Sequence, residues 1–445
     1  MLRAVLRQAQ DERVWVMLAA SNSQMRFARA SIAGAGMAGL AAAVALVKAG
    51  VKAGAKAGFP VAISDSAARA GGRCRSYDDA ATGLTIDNGN HLVLSGNAAV
   101  AAFRRDIGAH EPLAGPDHAG FAFMDMASGT KWQVRINDGP LPWWVLDKAR
   151  RVPDTGVMDY WPLRHLVKGG HQRIDAVVQA EGPVWDRLIH PVLLAALNTE
   201  PAEASAQLAA NVLRETLLKG GRAMCPRIAV PTLAAAFVDP AVAWLAARGT
   251  VLATGRRLKA VLFDGDVVVG LEWSDGRQEI APDEAVVLAV PPWVAGELLP
   301  DLTVPDEHRA ILNAHFAIAP PKDAPEMLGL IGAMSEWIFC HPDRISVTVS
   351  AADAVIDRPR EELARVIWDE VARALGMDDA IPAWQIVKEK RATFAATPQQ
   401  DALRPEARTR WRNLFLAGDY VQNGLPATIE GALRSGDNAA KLIMG

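Results

Sequence analysis

Three closely spaced glycines near the start of the chain, Gly34, Gly36 and Gly39, constrain its fold more than any other feature. A strand-like apolar segment precedes them, and an Ala-rich helical segment, Met37 to Ala49, follows. In a strand, turn and helix of this pattern, the first glycine permits a tight turn and the second lets a pyrophosphate approach the backbone. The third glycine lets the helix pack closely on the strand, and the helix N-terminus faces the anion. The pattern therefore predicts a dinucleotide-binding βαβ unit.

An acidic residue supports this prediction. A second strand, Val61 to Ser64, ends at Asp65, where a carboxylate would accept hydrogen bonds from the adenosine ribose hydroxyls. Gly39 and Asp65 lie 26 positions apart, which exceeds the usual spacing of about 20 because residues 51–60 lengthen the connection. The alternative is a core helix with chance glycines, and the strand, helix and acidic residue together disfavour it.

Length and composition narrow the class of protein. A chain of 445 residues predicts two or more packed units, and 50% hydrophobic residues with a net charge of −3 indicate a globular protein. The 47 basic and 50 acidic residues are well mixed, so we expect no nucleic-acid partner. Cys74, Cys225 and Cys340 lie far apart, which predicts no metal site and no disulfide framework and fits a reducing cytoplasm.

The first residues are a poor secretory signal, because their charges are mixed in sign and their apolar run is short. We expect residues 1–24 to form an unstructured leader, and Met25 is an alternative start. No uncharged apolar stretch of about 18 residues or more has the character of a spanning helix.

Strand patterns occur at both ends of the chain, and the middle is mostly helical in pattern from about 153 to 247. Hairpins are predicted over Phe121 to Arg135 and over Leu258 to Trp273. A buried strand is predicted at Val286 to Val290, and another at Leu414 to Ala417 before a final helix that begins near Pro426. Strands of one sheet therefore lie at both ends, with an insertion between them.

Two further motifs resemble a known superfamily. Arg69-Ala-Gly-Gly-Arg73 follows Asp65 closely, and Gly418-Asp419 follows a buried strand far along the chain. Together with the glycine pattern, they resemble the FAD motifs of the flavin-containing amine oxidase and carotenoid desaturase superfamily. The alternative for the Gly-Gly pair is a simple turn between solvated arginines.

The resemblance implies noncovalent FAD. It implies that Arg73 neutralises the pyrophosphate, that Asp419 holds the ribityl chain, that the last helix points at the flavin, and that Leu258 presents backbone groups to adenine. The residues expected to bind the cofactor are Gly34, Gly36, Gly39, Asp65, Gly71, Gly72, Arg73, Gly89, Leu258, Gly418, Asp419, Thr428 and Ile429.

The implied fold class is α/β, a Rossmann-like FAD-binding domain of the glutathione reductase and amine oxidase type with an inserted mixed α+β substrate domain. The FAD-binding domain is expected at 25–110, 250–300 and 396–445. The substrate domain is expected at 111–249, with a helical membrane-facing region, and at 301–395.

Two longer passages, 87–96 and 418–436, are similar to the squalene-associated FAD-dependent desaturases, understood as hydroxysqualene dehydroxylases. Asn90 departs from that family, whose members usually carry Gln there. The family performs reductive dehydroxylation of hydroxysqualene to squalene in hopanoid biosynthesis, with hydride delivered from reduced flavin N5 to an allylic carbon. The resemblance therefore implies a polyprenoid substrate and an electron donor that the sequence does not identify.

His91 is the candidate catalytic acid, because it lies in the first passage and titrates near neutrality. The alternative is a buried histidine that fixes its loop beside the isoalloxazine through a hydrogen bond.

Other functions remain open. A flavin amine oxidase usually has an aromatic residue before the last helix's Glu-Gly-Ala, where this chain has Thr428 and Ile429. A carotenoid or phytoene desaturase acts on a similar class of substrate. A lipid carrier related to the Rab escort fold would lack flavin chemistry, and Arg73 and Asp419 argue against it.

So apolar a substrate predicts peripheral contact with the inner face of a membrane. Trp143 and Trp144, near the cations Lys148, Arg150 and Arg151, are candidates for an interfacial patch. The alternative is a solvated loop with two core-facing tryptophans.

Overall fold

The structure is a computed structural model that describes residues 27–54 and 58–445. The predicted leader, residues 1–24, lies outside these ranges.

The strands of the described ranges form five sheets. They are β1 Arg29–Ala33, β2 Val61–Ser64, β3 Ser76–Asp79, β4 Leu84–Asp87, β5 Leu92–Leu94, β6 Leu113–Ala114, β7 Gly120–Asp125, β8 Lys131–Arg135, β9 Pro226–Ala229, β10 Val251–Ala253, β11 Leu258–Asp264, β12 Val267–Trp273, β13 Gly276–Glu279, β14 Glu284–Leu288, β15 His308–Phe316, β16 Met327–Ile331, β17 Trp337–Cys340, β18 Ile345–Val349, β19 Trp384–Phe394 and β20 Leu414–Leu416.

The α-helices vary from one turn to 16 residues. They are α1 Met37–Lys52, α2 Ala98–Asp106, α3 Leu163–Lys168, α4 His190–Leu197, α5 Ala206–Glu215, α6 Asp239–Ala246, α7 Pro292–Leu298, α8 Arg360–Leu375, α9 Pro398–Ala402 and α10 Ile429–Met444. Helices α4 and α6 each follow a π-helical turn, Trp185–Ile189 and Ala234–Val238. None of the helices in the described ranges has the length and apolar character needed to cross a membrane.

A five-stranded parallel sheet in the order β10-β2-β1-β14-β20 is the base of the predicted nucleotide-binding unit. Its central strands are almost wholly buried, as expected for a parallel sheet covered on both faces. Helices α1 and α10 pack so closely that a Cβ at Gly436 would lie 2.1 Å from the carbonyl oxygen of Ala38. This contact joins the first and last helices of the described chain.

A seven-stranded sheet in the order β19-β15-β18-β17-β16-β7-β8 forms the second layer. Alternate residues on one face, such as Leu312 and Val347, pack with helix α8 in an apolar core. The opposite face carries polar and aromatic residues, including Asn313, Thr348 and Trp337, and is directed toward the loop at residues 88–91 and the helical middle region.

Most local predictions are confirmed. The strand Val61–Ser64 and both predicted hairpins form, and the second hairpin gains a third strand, β13. The last helix begins at Ile429 rather than near Pro426, because Thr428 adopts an extended conformation and caps it. The domain boundaries remain predictions.

A buried cluster of basic side chains includes His315, which lies on the polar face of the seven-stranded sheet. His315 is 1% exposed and its Nδ1 contacts Ser346 Oγ at 2.8 Å. His341 and Arg344 are also buried, and Arg344 lies 3.8 Å from the Asp87 carboxylate. Burial and then the charge of Arg344 lower the pKa of His315 to about 4, and the same two causes lower the pKa of His341 to about 3. Both histidines are therefore neutral in the native protein near pH 7.

We predict that His315 makes the protein less stable as the pH falls. Its folded pKa of about 4 lies below the ordinary value of 6.5, so between these values the unfolded chain binds more protons. His315→Gln should therefore flatten the fall in unfolding free energy across this window by about 1.4 kcal/mol per pH unit. Urea unfolding at several pH values measures it. The exposed His118→Gln serves as the control, and parallel slopes for wild type and H315Q would contradict the prediction.

Candidate functional site

Two glycine-rich turns face each other at the ends of β1 and β2. Gly34 has φ +109°, and a Cβ there would lie 2.2 Å from the carbonyl oxygen of Ala289, so only glycine fits this turn. The Gly71 N–H donates to the Ala35 carbonyl at 2.8 Å, and Gly36 and Gly71 form a β-bridge. A Cβ on Gly72 would lie 3.3 Å from the Cα of Gly36. The backbones of both predicted motifs are therefore in contact.

The second glycine of the fingerprint borders open space. A Cβ built on Gly36 would have only the Cα of Gly72 within 4 Å, at 4.0 Å. Gly36 is the N-cap of α1, it offers no side-chain cap, and no acidic residue occupies the first turn. The free N–H groups and positive end of this helix can therefore receive an anion that approaches the backbone. Gly39 packs against the Gly34 carbonyl, as the fingerprint requires.

Asp65 stabilises the first turn from the end of β2. Its Oδ2 accepts from the Ala35 N–H at 2.6 Å, and its Oδ1 accepts from the Ala67 N–H at 2.7 Å. Each carboxylate oxygen keeps a second lone pair. The carboxylate therefore lies beside the glycine turn and retains the capacity to accept from a ribose hydroxyl.

Arg73 and Asp419 form an ion pair although 346 positions separate them. Arg73 Nη2 donates to Asp419 Oδ1 at 2.8 Å, and Nη1 donates to the Ala392 carbonyl at 2.5 Å. Protein atoms surround Arg73, yet 40% of its side chain can be reached by water, so it lines an internal cleft. Burial lowers the pKa of Arg73, but Asp419, Cys74 and Glu389 together raise it above its ordinary value, and the guanidinium stays cationic. A cation is thus fixed beside the two glycine turns.

Arg404, which sequence reasoning missed, holds the loop after Asp419. Its guanidinium is buried and donates to three consecutive backbone carbonyls, those of Asp419, Tyr420 and Val421, at 2.9–3.2 Å. It also donates to Asn423 Oδ1 at 3.2 Å and Asp401 Oδ1 at 3.0 Å. One arginine therefore fixes the path of the loop between β20 and α10. No local pattern marks it, because its partners are 15–19 positions away, apart from Asp401.

The last helix begins beside this loop. Thr428 is its N-cap, and the Thr428 side chain accepts from the Gly431 N–H at 3.0 Å. Ile429 is buried as the first helical residue. Glu430, not among the predicted residues, accepts from the N–H groups of Ala99 and Val100 at 3.0 Å. It therefore ties the start of α10 to the start of α2.

The loop at residues 88–91 joins the glycine turns to the seven-stranded sheet. Asn90 Nδ2 donates to the Val347 carbonyl and Thr348 Oγ1, both at 3.1 Å, and to Asn313 Oδ1 at 3.3 Å. A Cβ at the buried Gly89 would lie 3.4 Å from Asn313 Nδ2. The Asn90 amide is thus satisfied by the sheet. Asn313 and Thr348 were not predicted, because only the strand register brings them here.

His91 lies against the Arg73 backbone. Burial and then the positive charge of Arg73 lower the pKa of its imidazole to about 4, although a hydrogen bond with the Arg73 backbone opposes that fall. The ring is therefore neutral at pH 7, which disfavours a cationic acid and favours the alternative of a hydrogen-bonding residue that fixes the loop. Leu258 is the first residue of β11, an edge strand, and Arg256, two positions earlier, donates its N–H to the Asp65 carbonyl at 2.8 Å.

A row of aromatic residues extends from this loop across the seven-stranded sheet. The strand register aligns Trp132, Phe123, Gly329, Trp337, Thr348 and Asn313. A Cβ at Gly329 would lie 2.6 Å from the Phe123 ring, so glycine allows Phe123 and Trp337 to approach to 5.5 Å. The row forms an apolar wall that ends at the polar loop.

Glu336 immediately precedes Trp337 in the chain, and its Oε2 accepts from the Ser350 N–H at 2.9 Å. Burial raises the pKa of its carboxyl to about 7, although Ser350 opposes that rise. A carboxyl group that is partly protonated at neutral pH can donate a proton, and sequence reasoning did not single it out.

Curated relatives match almost the whole chain. Hydroxysqualene dehydroxylases of Rhodopseudomonas palustris, Sinorhizobium fredii and Zymomonas mobilis are 50%, 48% and 43% identical to it. Each comparison covers 93% of this chain and 97–98% of the relative. A probable zeta-carotene desaturase of Synechococcus elongatus is 24% identical over 94% of this chain and 98% of its own length.

Solved structures share the fold. An oxidoreductase of Methanosarcina mazei has a TM-score of 0.71 at 14% identity over 93% of this chain and 100% of its own. Cyclohexylamine oxidase of Brevibacterium oxydans has a TM-score of 0.68 at 15% identity over 94% of this chain and 99% of its own. The predicted α/β fold of the amine oxidase type is confirmed.

A family model of sequences, described as flavin containing amine oxidoreductase, matches residues 37–444 of this chain. The predicted flavin cofactor is thereby confirmed. The two facing glycine turns, the Arg73–Asp419 ion pair and the capped last helix agree with this match. The chain therefore belongs to the flavin-containing amine oxidoreductase family.

Proposed function

We propose that the protein is a FAD-dependent hydroxysqualene dehydroxylase that converts hydroxysqualene to squalene. The observation that carries this proposal is 43–50% identity to three hydroxysqualene dehydroxylases over 93% of the chain. The desaturase alternative has weaker support, because the desaturase matched over the full chain is 24% identical.

The residues present fit a noncovalent FAD. The open space at Gly36, the uncapped start of α1 and the cation of Arg73 suit a pyrophosphate, and Asp65 keeps acceptor capacity for a ribose. The other residues proposed to hold FAD are Gly34, Gly39, Gly71, Gly72, Gly89, Leu258, Gly418, Asp419, Thr428 and Ile429.

The reaction replaces a hydroxyl group by hydrogen. The C–O bond breaks, the hydroxyl takes up one proton and leaves as water, and a C–H bond forms at the same carbon. When bound in its reduced form, FAD supplies the hydride for that bond. The chain supplies an apolar wall of Trp337, Phe123 and Trp132 that excludes water and offers aromatic faces to positive charge that develops on carbon.

The chain's own acid and polar groups complete the site. The Glu336 carboxyl, which precedes Trp337 in the chain and whose pKa is raised to about 7 by burial, is our proposed proton donor for the departing hydroxyl. His91, with its pKa lowered to about 4, is assigned a neutral hydrogen bond that orients its loop.

We further propose that the protein works in the cytoplasm, in peripheral contact with the inner face of a membrane. Hydroxysqualene and squalene are almost wholly apolar, so they partition into a bilayer rather than into water. An enzyme that draws such a substrate from a membrane shortens its path through water.

The direct test is an anaerobic single turnover. Purified holoprotein is reduced and mixed with hydroxysqualene, and we expect recovery of oxidised-flavin absorbance together with squalene in the lipid extract. Squalene itself serves as the control ligand, because it has no hydroxyl to lose. The proposed substrate would be overturned if the flavin stays reduced in the presence of hydroxysqualene and the oxidised protein instead dehydrogenates an amine or a polyene.

Arg404 supplies a second prediction. Arg404→Lys keeps the charge but removes the planar set of donors that holds the three loop carbonyls. Two or three lost hydrogen bonds should raise the Kd of FAD by roughly tenfold to a hundredfold. Titration of apoprotein by flavin fluorescence measures the Kd. Arg410→Lys is the matched control, since Arg410 is exposed and pairs with Asp301 at the surface.

A purely structural role for Arg404 would appear as a lower melting temperature of the apoprotein with FAD affinity unchanged. A Kd within twofold of wild type in folded R404K protein would therefore refute the assignment.

A further inference from the structure

Exposed apolar side chains are concentrated on one part of the surface. Ten large hydrophobic residues are exposed in the described ranges, and seven of them lie in the segment 141–161 or at Leu218. Trp143, Met158 and Trp161 are 61%, 71% and 58% exposed. We call this group the apolar platform; its members are Leu141, Trp143, Leu146, Val157, Met158, Trp161 and Leu218.

Two short 3₁₀ turns build the platform. Trp143–Leu146 and Val157–Tyr160 pack together through Trp144 and Tyr160, whose rings meet edge to face at 5.2 Å and are buried. The Tyr160 hydroxyl accepts from the Val152 N–H at 3.0 Å and holds the intervening loop. The buried pair fixes the two turns so that their other side chains point outward.

The prediction that Trp143 and Trp144 are both exposed in an interfacial patch is therefore wrong for Trp144. It is 3% exposed and belongs to the core, whereas Trp143 is exposed. A 3₁₀ turn rotates successive side chains by about 120°, so adjacent tryptophans face different surroundings. The second exposed indole of the platform is Trp161, which lies 18 positions after Trp143.

Leu218 joins the platform from a separate segment. The Gly221 N–H donates to the Asn137 carbonyl at 2.8 Å, and a Cβ at Gly220 would lie 2.4 Å from the Gly139 carbonyl oxygen. The chain around Leu218 is thus packed beside the chain that leads into Leu141.

Around the platform, the acidic side chains have partners, whereas several basic side chains have no acidic partner within the described ranges. The carboxylates of Asp138, Asp147 and Asp154 pair with arginines at 3.4–3.9 Å, and Asp159 accepts from the Gly156 N–H at 2.7 Å. Among the described residues, no carboxylate lies within 4 Å of four cations of the same segment, namely Lys148, Arg151, Arg164 and Lys168. The surplus of free positive charge complements an anionic surface.

We propose that the apolar platform docks the protein onto a bilayer that contains anionic lipid. Indoles favour the boundary between headgroups and acyl chains, and Leu and Met side chains on the same surface can enter the acyl region. The four free cations face lipid phosphates, and Arg164 stacks over the Trp161 ring at 4.5 Å, which places charge and indole together. This docking surface rests on the proposed function, because a polyprenoid substrate resides in the bilayer.

A second copy of the chain fits the platform less well. A stable protein interface usually involves about 20–30 residues on each side, and the platform has seven large apolar side chains. Its cations would also face the same cations across a two-fold axis, which costs energy.

Vesicle flotation tests the proposal. Holoprotein is floated with phosphatidylcholine vesicles and with mixed phosphatidylcholine and phosphatidylglycerol vesicles. Wild type should float with the mixed vesicles, and Trp143→Ser with Trp161→Ser should lower the partition coefficient by about tenfold or more. Val251→Ser is the control, because Val251 is 66% exposed but lies outside the platform. Lys148→Gln with Lys168→Gln should weaken binding to mixed vesicles only.

Equal flotation of the double tryptophan variant and wild type would overturn the proposal. A second result would also overturn it: wild type forms concentration-dependent dimers and binds no vesicles, and the variant does not form the dimers. The platform would then be occupied by a second copy of the chain.

Turnover separates this proposal from the proposed function. The double tryptophan variant should keep wild-type turnover of hydroxysqualene dispersed in detergent and lose it with substrate in vesicles. If wild type shows no turnover in detergent, the proposed reaction fails, while flotation still decides the docking surface.

Discussion

The close approach of two glycine-rich backbones is the constraint on which the rest of the site depends. Gly36 and Gly72 are so near that a Cβ on Gly72 would come within 3.3 Å of the Gly36 Cα. This contact brings the uncapped N-terminus of α1 and the Arg73 guanidinium to one cleft. The close packing of α1 against α10 at Gly436 then places the last helix on the same base.

Polar contacts between distant segments complete the cleft. The Arg73–Asp419 ion pair links the start of the chain to its end, and Arg404 fixes the loop that carries Asp419. Asn90 extends the network to Asn313 and Thr348 in the seven-stranded sheet. The cofactor-binding sheet and the aromatic wall are therefore joined by directional bonds, which suits a reaction whose two partners must meet in a fixed geometry.

Local sequence patterns were sufficient for the parts of the site that are themselves local. The glycine fingerprint, Asp65 and the hairpins each depend on residues close in sequence, so local patterns predict them. The loop partners of Arg404 lie 15–19 positions away, and Glu430, Asn313 and the row from Trp132 to Trp337 depend on strand register or on contacts across hundreds of positions, so no local pattern predicts their roles. The two adjacent tryptophans could not be assigned to core or surface without the geometry of the 3₁₀ turn.

Gly36 tests the central claim most directly, because it distinguishes space kept for a cofactor from space needed for folding. Its φ of −72° suits alanine, and no protein atom lies closer than 4.0 Å to the added Cβ. Gly36→Ala apoprotein should therefore unfold at the wild-type temperature or slightly above it, while its Kd for FAD rises roughly tenfold to a hundredfold. An unchanged Kd in stable G36A protein would contradict the account, since the cofactor would then not approach this backbone.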